Sequence, residues 1–266
     1  MTATTGHEGL PALSGRALGI DIGGSGIKGA PVDLAAGEFA EDRVREATPQ
    51  PSTPGAVADV VAGIAARWPE GPLGVTFPAV IKRGVAHTAA NVDKAWIGTD
   101  VAELLRTLTG RSVHVVNDAD AAGVAEARYG AAKGVQGVVV VLTLGTGIGT
   151  ALLHDGVLVP NTELGHLEVD GHDAETKASD AARDREDLSW KDWAKRLQRY
   201  LETVEALLQP DLLVVGGGVS KKSEKFLPLL DLRTPVVPAG LLNSAGIVGA
   251  AALAAEAAAA EGASAG

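Results

Sequence analysis

The feature that most constrains this chain is a pattern it contains twice. Ile20-Asp21-Ile22-Gly23-Gly24-Ser25-Gly26-Ile27 and Leu142-Thr143-Leu144-Gly145-Thr146-Gly147-Ile148 each run from an apolar strand through a glycine turn into a returning strand. Both returns end at a second turn, marked by Asp33 and Asp155. Two similar hairpins imply two similar units. The second copy is fed by the apolar run Val138 to Leu144, which reads as a buried strand. Glycine turns leave backbone amides bare, so an anion can approach them. If the units face each other, both turns can be presented to one phosphate group across a cleft.

Composition removes several alternatives. A chain of 266 residues can bury a substantial core and suits one large α/β domain or two small ones. It has no cysteine, which excludes disulfides, thiolate zinc sites and cysteine nucleophiles together. A net charge of −10 argues against a nucleic-acid surface, and three Phe with two Tyr are too few for a base-stacking platform. No apolar run approaches the roughly eighteen residues of a membrane helix, and Met1 to Gly15 lacks the pattern of a secretion signal. The expectation is a cytoplasmic protein that binds neither nucleic acid nor membrane.

Polar residues then cluster at strand ends. Asn117-Asp118-Ala119-Asp120 lies between a strand at Ser112–Val116 and a helix at Ala121–Tyr129, the usual place for ligands in α/β sheets. Helix capping would account for one of these polar residues, whereas the segment supplies three. Glu163 and His166 follow the second hairpin.

Phosphoryl transfer to a hydroxyl needs a phosphate cradle, a base and groups that fix the acceptor. Asp118 is the candidate base. Asn117, Glu163 and His166 are candidates to grip neighbouring hydroxyls. Gly23, Gly24, Gly145, Thr146 and Gly147 are candidates to hold phosphates, with Ser25 and Lys28 on the first hairpin. Gly23 to Lys28 is not a Walker A loop, because Ile27 stands where that motif needs glycine. Asp21 is the candidate to orient water around Mg²⁺, which keeps several waters and takes few protein ligands.

Helical spacing marks Thr53–Ala66, Asp100–Leu108, Ala174–Arg183, Trp190–Leu208 and Ile247–Ala260. Leu212 to Val215 forms another strand, running into Gly216-Gly217-Gly218 and a face bearing Lys221, Lys222 and Lys225.

From Leu18 to Ala255 the chain resembles the ROK sugar kinases. The resemblance rests on Asp21-Ile22-Gly23-Gly24, Asn117-Asp118-Ala119, Leu144-Gly145-Thr146-Gly147-Ile148-Gly149 and Glu163-Leu164-Gly165-His166. Within that family it resembles the actinobacterial polyphosphate/ATP glucokinases in particular. The residues concerned are Ala89-Ala90-Asn91-Val92-Asp93-Lys94, Gly165 to Glu175, and Leu232-Arg233-Thr234-Pro235.

This resemblance implies an α/β, duplicated actin-like ATPase (ribonuclease H-like) fold with two domains around a cleft. The expected division is a flexible lead at 1–16, a small domain at 17–116, a larger one at 117–245, a helix at 246–261 packing back on the first, and a flexible tail at 262–266. The implied partners are glucose, phosphorylated on its 6-hydroxyl, polyphosphate or ATP as donor, Mg²⁺, and a second copy in a homodimer. Gly216, Gly217 and Gly218 would lie on the adenosine side of a nucleotide.

One departure from the family pattern is informative. Typical members follow Glu-x-Gly-His with a cysteine-rich zinc loop ending in a sugar-binding glutamate, and this chain has no cysteine. No zinc site is expected. Glu175, in Glu175-Thr176-Lys177-Ala178-Ser179, is the candidate for that sugar contact, with Glu168 as the competing choice. A polyphosphate track would draw on Lys82-Arg83, Lys94, Lys221-Lys222 and Arg233, and use of polyphosphate at least as well as ATP is expected. The alternatives are a ROK kinase for mannose, fructose or N-acetylmannosamine, and a non-catalytic sugar-sensing protein.

Overall fold

The computed structural model describes residues 10–89 and 92–264. Ala90-Asn91, the first nine residues of the expected lead and the last two of the expected tail lie outside them.

The first sheet begins with the hairpin of β1 (Arg16–Ile22) and β2 (Ile27–Asp33). Short strands β3 (Glu38–Phe39) and β4 (Val44–Glu46) both pair with β2. On the other side of β1 come β5 (Leu73–Phe77) and then β8 (Val113–Asn117), both parallel to their neighbours. A small hairpin, β6 (Ile81–Lys82) with β7 (Val85–Ala86), stands apart. The second sheet repeats the plan. Its hairpin is β9 (Val138–Leu144) with β10 (Ile148–His154), flanked by β11 (Val157–Val159). Parallel strands β14 (Leu212–Gly216) and β15 (Val236–Pro238) continue it beyond β9.

Helices cover both faces of each sheet, which explains why β9 reads as continuously apolar. Val140, Leu142 and Leu144 pack on Trp193, Leu197, Leu201 and Val204 of α6 (Trp190–Leu208), while Val139 and Val141 pack on the opposite side with Ala127 of α3 (Asp118–Tyr129). In the first sheet, Leu18, Ile20 and Ile22 face α1 (Pro54–Ala65) and α2 (Val101–Thr109). Ala17, Ala30 and Val32 face Ile247, Val248 and Ala251 of α7 (Ala245–Ser264). Helices α3 and α7 pack on each other between the two sheets.

Several local expectations are corrected. Helix α3 starts at Asp118, not Ala121, because the Asn117 side chain accepts from the amides of Ala119 and Asp120 and so caps it there. The expected helix at 174–183 is two, α4 (Glu175–Ala178) and α5 (Asp180–Arg185). Ser179 between them is extended and caps the second by accepting from the Ala182 amide. Upstream, β12 (Glu168–Val169) and β13 (His172–Asp173) form a hairpin, with Asp170 and Gly171 at positive φ in its turn.

Within the expected lead, the Pro11 carbonyl accepts from Arg128, and Leu13 packs beside α7. At the other end, α7 runs on to Ser264, since the alanine-rich segment contains no proline and a single Gly262 does not stop it. Leu242–Ala263 is, contrary to expectation, long and apolar enough to cross a membrane by length and composition. Its buried residues, however, are committed to the first sheet and α3.

Candidate active site

The carboxyl ends of β1, β5, β8, β9 and β14 surround a cleft of about 680 Å³. Asp21, Gly23, Gly24, Asn117, Asp118, Gly145, Thr146, Gly147, Glu163, His166, Glu175 and Gly217 all line it. The remaining candidates stand elsewhere. Gly216 is buried at the end of β14, and Gly218 opens the 3-10 turn Gly218–Lys225. Ser25 turns its carbonyl to Arg45, which donates at 3.1 Å. The Lys28 ammonium donates to Asp21 at 3.1 Å, and so acts on the carboxylate.

The floor of the cleft is held from behind. Asp21 faces Thr76 across the parallel β1–β5 pair, and the fully buried Thr76 hydroxyl donates to it at 2.9 Å. Thr48 fixes the first glycine turn by donating to the Gly23 carbonyl at 2.5 Å. In the second turn the Gly145 amide donates to Gly147 at 3.0 Å, and the Gly145 carbonyl accepts from Ala181 at 3.0 Å. A Cβ at Gly147 would lie 2.3 Å from a carboxylate oxygen of Glu175, so a side chain there would displace that carboxylate.

Asp118 stands at the mouth of α3, open to the cleft but crowded by its walls. Loss of solvent, and then the charge of Asp21, push its pKa up to about 6. Its Oδ1 accepts from the Ala119 amide at 2.9 Å. Asn117 caps α3 with its oxygen and donates its amide to the Ala79 carbonyl at 3.1 Å, so this side chain does structural duty as well as lining the cleft.

Glu163 and His166 ride on a short turn bound to β10. The buried Thr150 hydroxyl donates to the Thr162 carbonyl at 2.6 Å and accepts from the Leu164 amide at 3.0 Å. Gly165 lets this turn press on the strand: a Cβ there would fall 2.0 Å from the Ile148 carbonyl oxygen. Burial raises the pKa of Glu163.

The hairpin of β12 and β13 swings Asp173 back to His166, with 2.8 Å between Asp173 Oδ2 and Nδ1. That hydrogen bond is the main reason the His166 pKa is raised. The other oxygen of Asp173 accepts from the Glu175 amide at 3.1 Å. Glu175 in turn accepts from the Ile148 amide at 3.2 Å. Of the two competing glutamates, Glu175 lines the cleft, while Glu168 pairs across the hairpin from Asp173 and does not. His166, Asp173 and Glu175 bring ligand-type atoms within 4.8 Å of one another, a set able to hold a metal ion.

Sequence reasoning assigned no role to Asp173, although it lies in the quoted Gly165–Glu175 segment. It also missed Asn161, whose side chain pairs with both the amide and the carbonyl of Ile81, at 2.8 and 2.9 Å. The Asn161 backbone amide donates to buried Asp120 at 2.8 Å, so Asn161 ties the loop that carries Glu163 to α3 as well as to the β6–β7 hairpin. Asp120 thus points away from the cleft, and burial pushes its pKa up to about 7. Of the expected basic track, Arg233 is bonded to Glu205, and Lys82-Arg83 line a separate cavity with Asp120 and Asn161.

Residues 17–184 match the ROK family. The chain is 54% identical over 237 residues to a polyphosphate glucokinase of Mycobacterium tuberculosis, covering 88% of this chain and 89% of that protein. Among solved structures it is similar to an inorganic polyphosphate/ATP-glucomannokinase from Arthrobacter sp. strain KM. There the identity is 56% and the TM-score 0.87, over 92% of this chain and 100% of the other. A ROK family glucokinase from Streptomyces griseus, solved with glucose and AMPPNP, shares the fold at 24% identity and TM-score 0.76, over 91% and 100% of the two chains. With these likenesses, the two sheets of one plan are those of the duplicated actin-like ATPase fold. Sequence, topology and cleft agree that this chain belongs to the ROK family.

Proposed function

We propose that the protein is a glucokinase that transfers the terminal phosphoryl group of inorganic polyphosphate or ATP to the 6-hydroxyl of glucose. The observation that carries this reading is the placement of Asp118. Its carboxylate opens into one cleft that also holds two glycine turns and the Glu163, His166 and Glu175 side chains. Likeness to the mycobacterial and Arthrobacter kinases supports the acceptor and the donors.

In this reading Asp118 accepts the hydroxyl proton as the phosphoryl group loads the oxygen, and a pKa near 6 suits a base working near neutrality. Glu163, His166, Glu175 and Asn117 orient the sugar. The two glycine turns, Gly23-Gly24 and Gly145 to Gly147, receive donor phosphates through amides other than those of Gly23 and Gly145, which are bonded within their turns, and closure of the cleft brings both turns onto them.

Asp21 fits a role beside Mg²⁺. Each of its oxygens accepts a single hydrogen bond and keeps acceptor capacity for metal-bound water, and its charge already reaches Asp118. Bound there, the ion neutralises phosphate charge. A homodimer and a cytoplasmic location complete the proposal.

The test is an initial-rate panel of hexoses against polyphosphate and ATP, with the product identified by NMR. Glucose 6-phosphate from either donor supports the reading, and no phosphorylation of glucose overturns it. Mannose is the second acceptor to try, because the Arthrobacter relative is a glucomannokinase. Mannose turnover far above that of glucose would favour that reading.

A further inference from the structure

The acceptor side of the cleft is a wall made by three segments from different parts of the chain. Ala79 and Val80 come from the first unit, Asn117 and Asp118 from the mouth of α3, and Glu163 and His166 from the loop after β11. A second cavity, of about 1110 Å³, lies behind this wall. Ile81, next to Val80, lines that cavity, as do Asp120, two residues after Asp118, and Asn161, two before Glu163. Asn117 lines both spaces. The wall is therefore thin, and it depends on hydrogen bonds within it more than on side chains packed behind it.

Those bonds converge on Asn161. Its side chain pairs with the Ile81 backbone through both polar atoms: Oδ1 accepts from the amide at 2.8 Å, and Nδ2 donates to the carbonyl at 2.9 Å. Its backbone amide donates to buried Asp120 on α3 at 2.8 Å. One residue thus joins all three segments. It also crosses the boundary between the units, since Ile81 packs in the core of the first sheet while Asn161 follows β11 of the second.

Asn161 holds φ at +59°, a left-handed conformation that asparagine tolerates better than most residues. Beyond it, Thr150 of β10 fixes Thr162 and Leu164 on either side of Glu163. The loop is then tied to its own sheet by Thr150 and to the other unit by Asn161.

We propose that Asn161 is a positioning residue for the acceptor sugar: it staples the loop bearing Glu163 and His166 to Ile81, so that the sugar-binding groups of both units stand assembled before the donor arrives. Closure then moves the glycine turns toward each other around a sugar wall that stays joined. The inference rests on the proposed function and deepens its acceptor half.

The test compares wild type with Asn161→Gly and Asn161→Asp, by glucose calorimetry and by steady-state kinetics with each donor. Glycine suits the left-handed φ and keeps the backbone amide, so Asn161→Gly removes the staple alone. Loss of its two hydrogen bonds is expected to raise the Kd and KM for glucose about tenfold. Donor KM should stay within about twofold of wild type and kcat within about threefold, because Asp118 and the glycine turns are untouched. In Asn161→Asp the new carboxylate keeps the bond to the Ile81 amide but sets a charged oxygen against the Ile81 carbonyl. Protonation, which the neighbouring Asp120 favours, turns that oxygen into a donor. The glucose KM of Asn161→Asp, relative to wild type at the same pH, should therefore fall as pH is lowered from about 8 to about 5.5, a response that a merely structural residue would not give. An unchanged glucose Kd and KM in Asn161→Gly overturns the staple while leaving the glucokinase reading intact. An equal rise in glucose and donor KM marks a general loosening and also overturns it. A pH-independent ratio for Asn161→Asp overturns it even where Asn161→Gly does not fold. A wild type that phosphorylates no glucose overturns the proposed function on which the inference stands.

Discussion

Asp173 is the residue through which the proposed sugar contacts are most open to test. One carboxylate holds His166 by the ring and Glu175 by its backbone. With Nδ1 anchored, Nε2 is the ring nitrogen left for a hydroxyl. The variant Asp173→Asn keeps the volume and one acceptor oxygen but loses the charge. A hydrogen bond to a charged group is worth about 1.5–3 kcal/mol. The His166 and Asp173 side chains are 54% and 40% exposed, so solvent screening reduces the loss to about 1 kcal/mol. That is about fivefold in KM for glucose.

The charge of Asp173 favours imidazolium, so the variant should lower the His166 pKa. The limb of the glucose KM that follows His166 then moves to lower pH. Steady-state kinetics over pH 5–9, with donor saturating, reads both effects. Donor KM should not change, and kcat should fall less than about twofold, because the residue positions the acceptor and leaves the base untouched. A merely structural Asp173 would lower the melting temperature without moving the glucose KM or its pH limb. That outcome would refute the positioning argument.

Two further predictions concern the cleft carboxylates. Glu175→Gln should raise the glucose KM at least fivefold while Glu168→Gln leaves it within about twofold, since Glu175 alone of the pair lines the cleft; the reverse order would return the sugar contact to Glu168. For Asp118 the folded pKa of about 6 lies above its ordinary 3.8, so its stabilising contribution is complete below pH 4 and lost as pH rises through 6. Above pH 7 Asp118→Asn should therefore be more stable than wild type by about 1 kcal/mol, after allowing for the openness of the cleft, or about 2–4 °C in Tm. Below pH 4 the two should melt together, and equal stability at all pH values would show that the carboxylate is not desolvated.

Much of this architecture is legible because it is local. The two hairpins follow from apolar runs broken by glycine, and the register of the first places Lys28 opposite Asp21 once Ile22 is paired with Ile27. What escaped the sequence depends on chain reversals between distant segments. Asp173 reaches His166 only because Asp170 and Gly171 take positive φ and fold β13 back on β12. Asn161 finds Ile81 across 80 residues, with no periodicity to announce it. Where the expected basic residues lie depends on the same long-range packing. Arg233 is bonded to Glu205, and Lys82-Arg83 line a cavity apart from the cleft, neither of which follows from their spacing. Asn117 shows the opposite error, for capping and cleft lining were treated as rivals and the side chain does both.

The central claim is that Asp118 takes the proton from the glucose hydroxyl. The direct measurement is glucose binding and turnover of Asp118→Asn, by calorimetry and by the rate of glucose 6-phosphate formation from the better donor. Glucose affinity within about threefold of wild type, with kcat lower by about 10²–10⁴, is the expected result. Turnover near the wild-type rate, with glucose still bound, would contradict it.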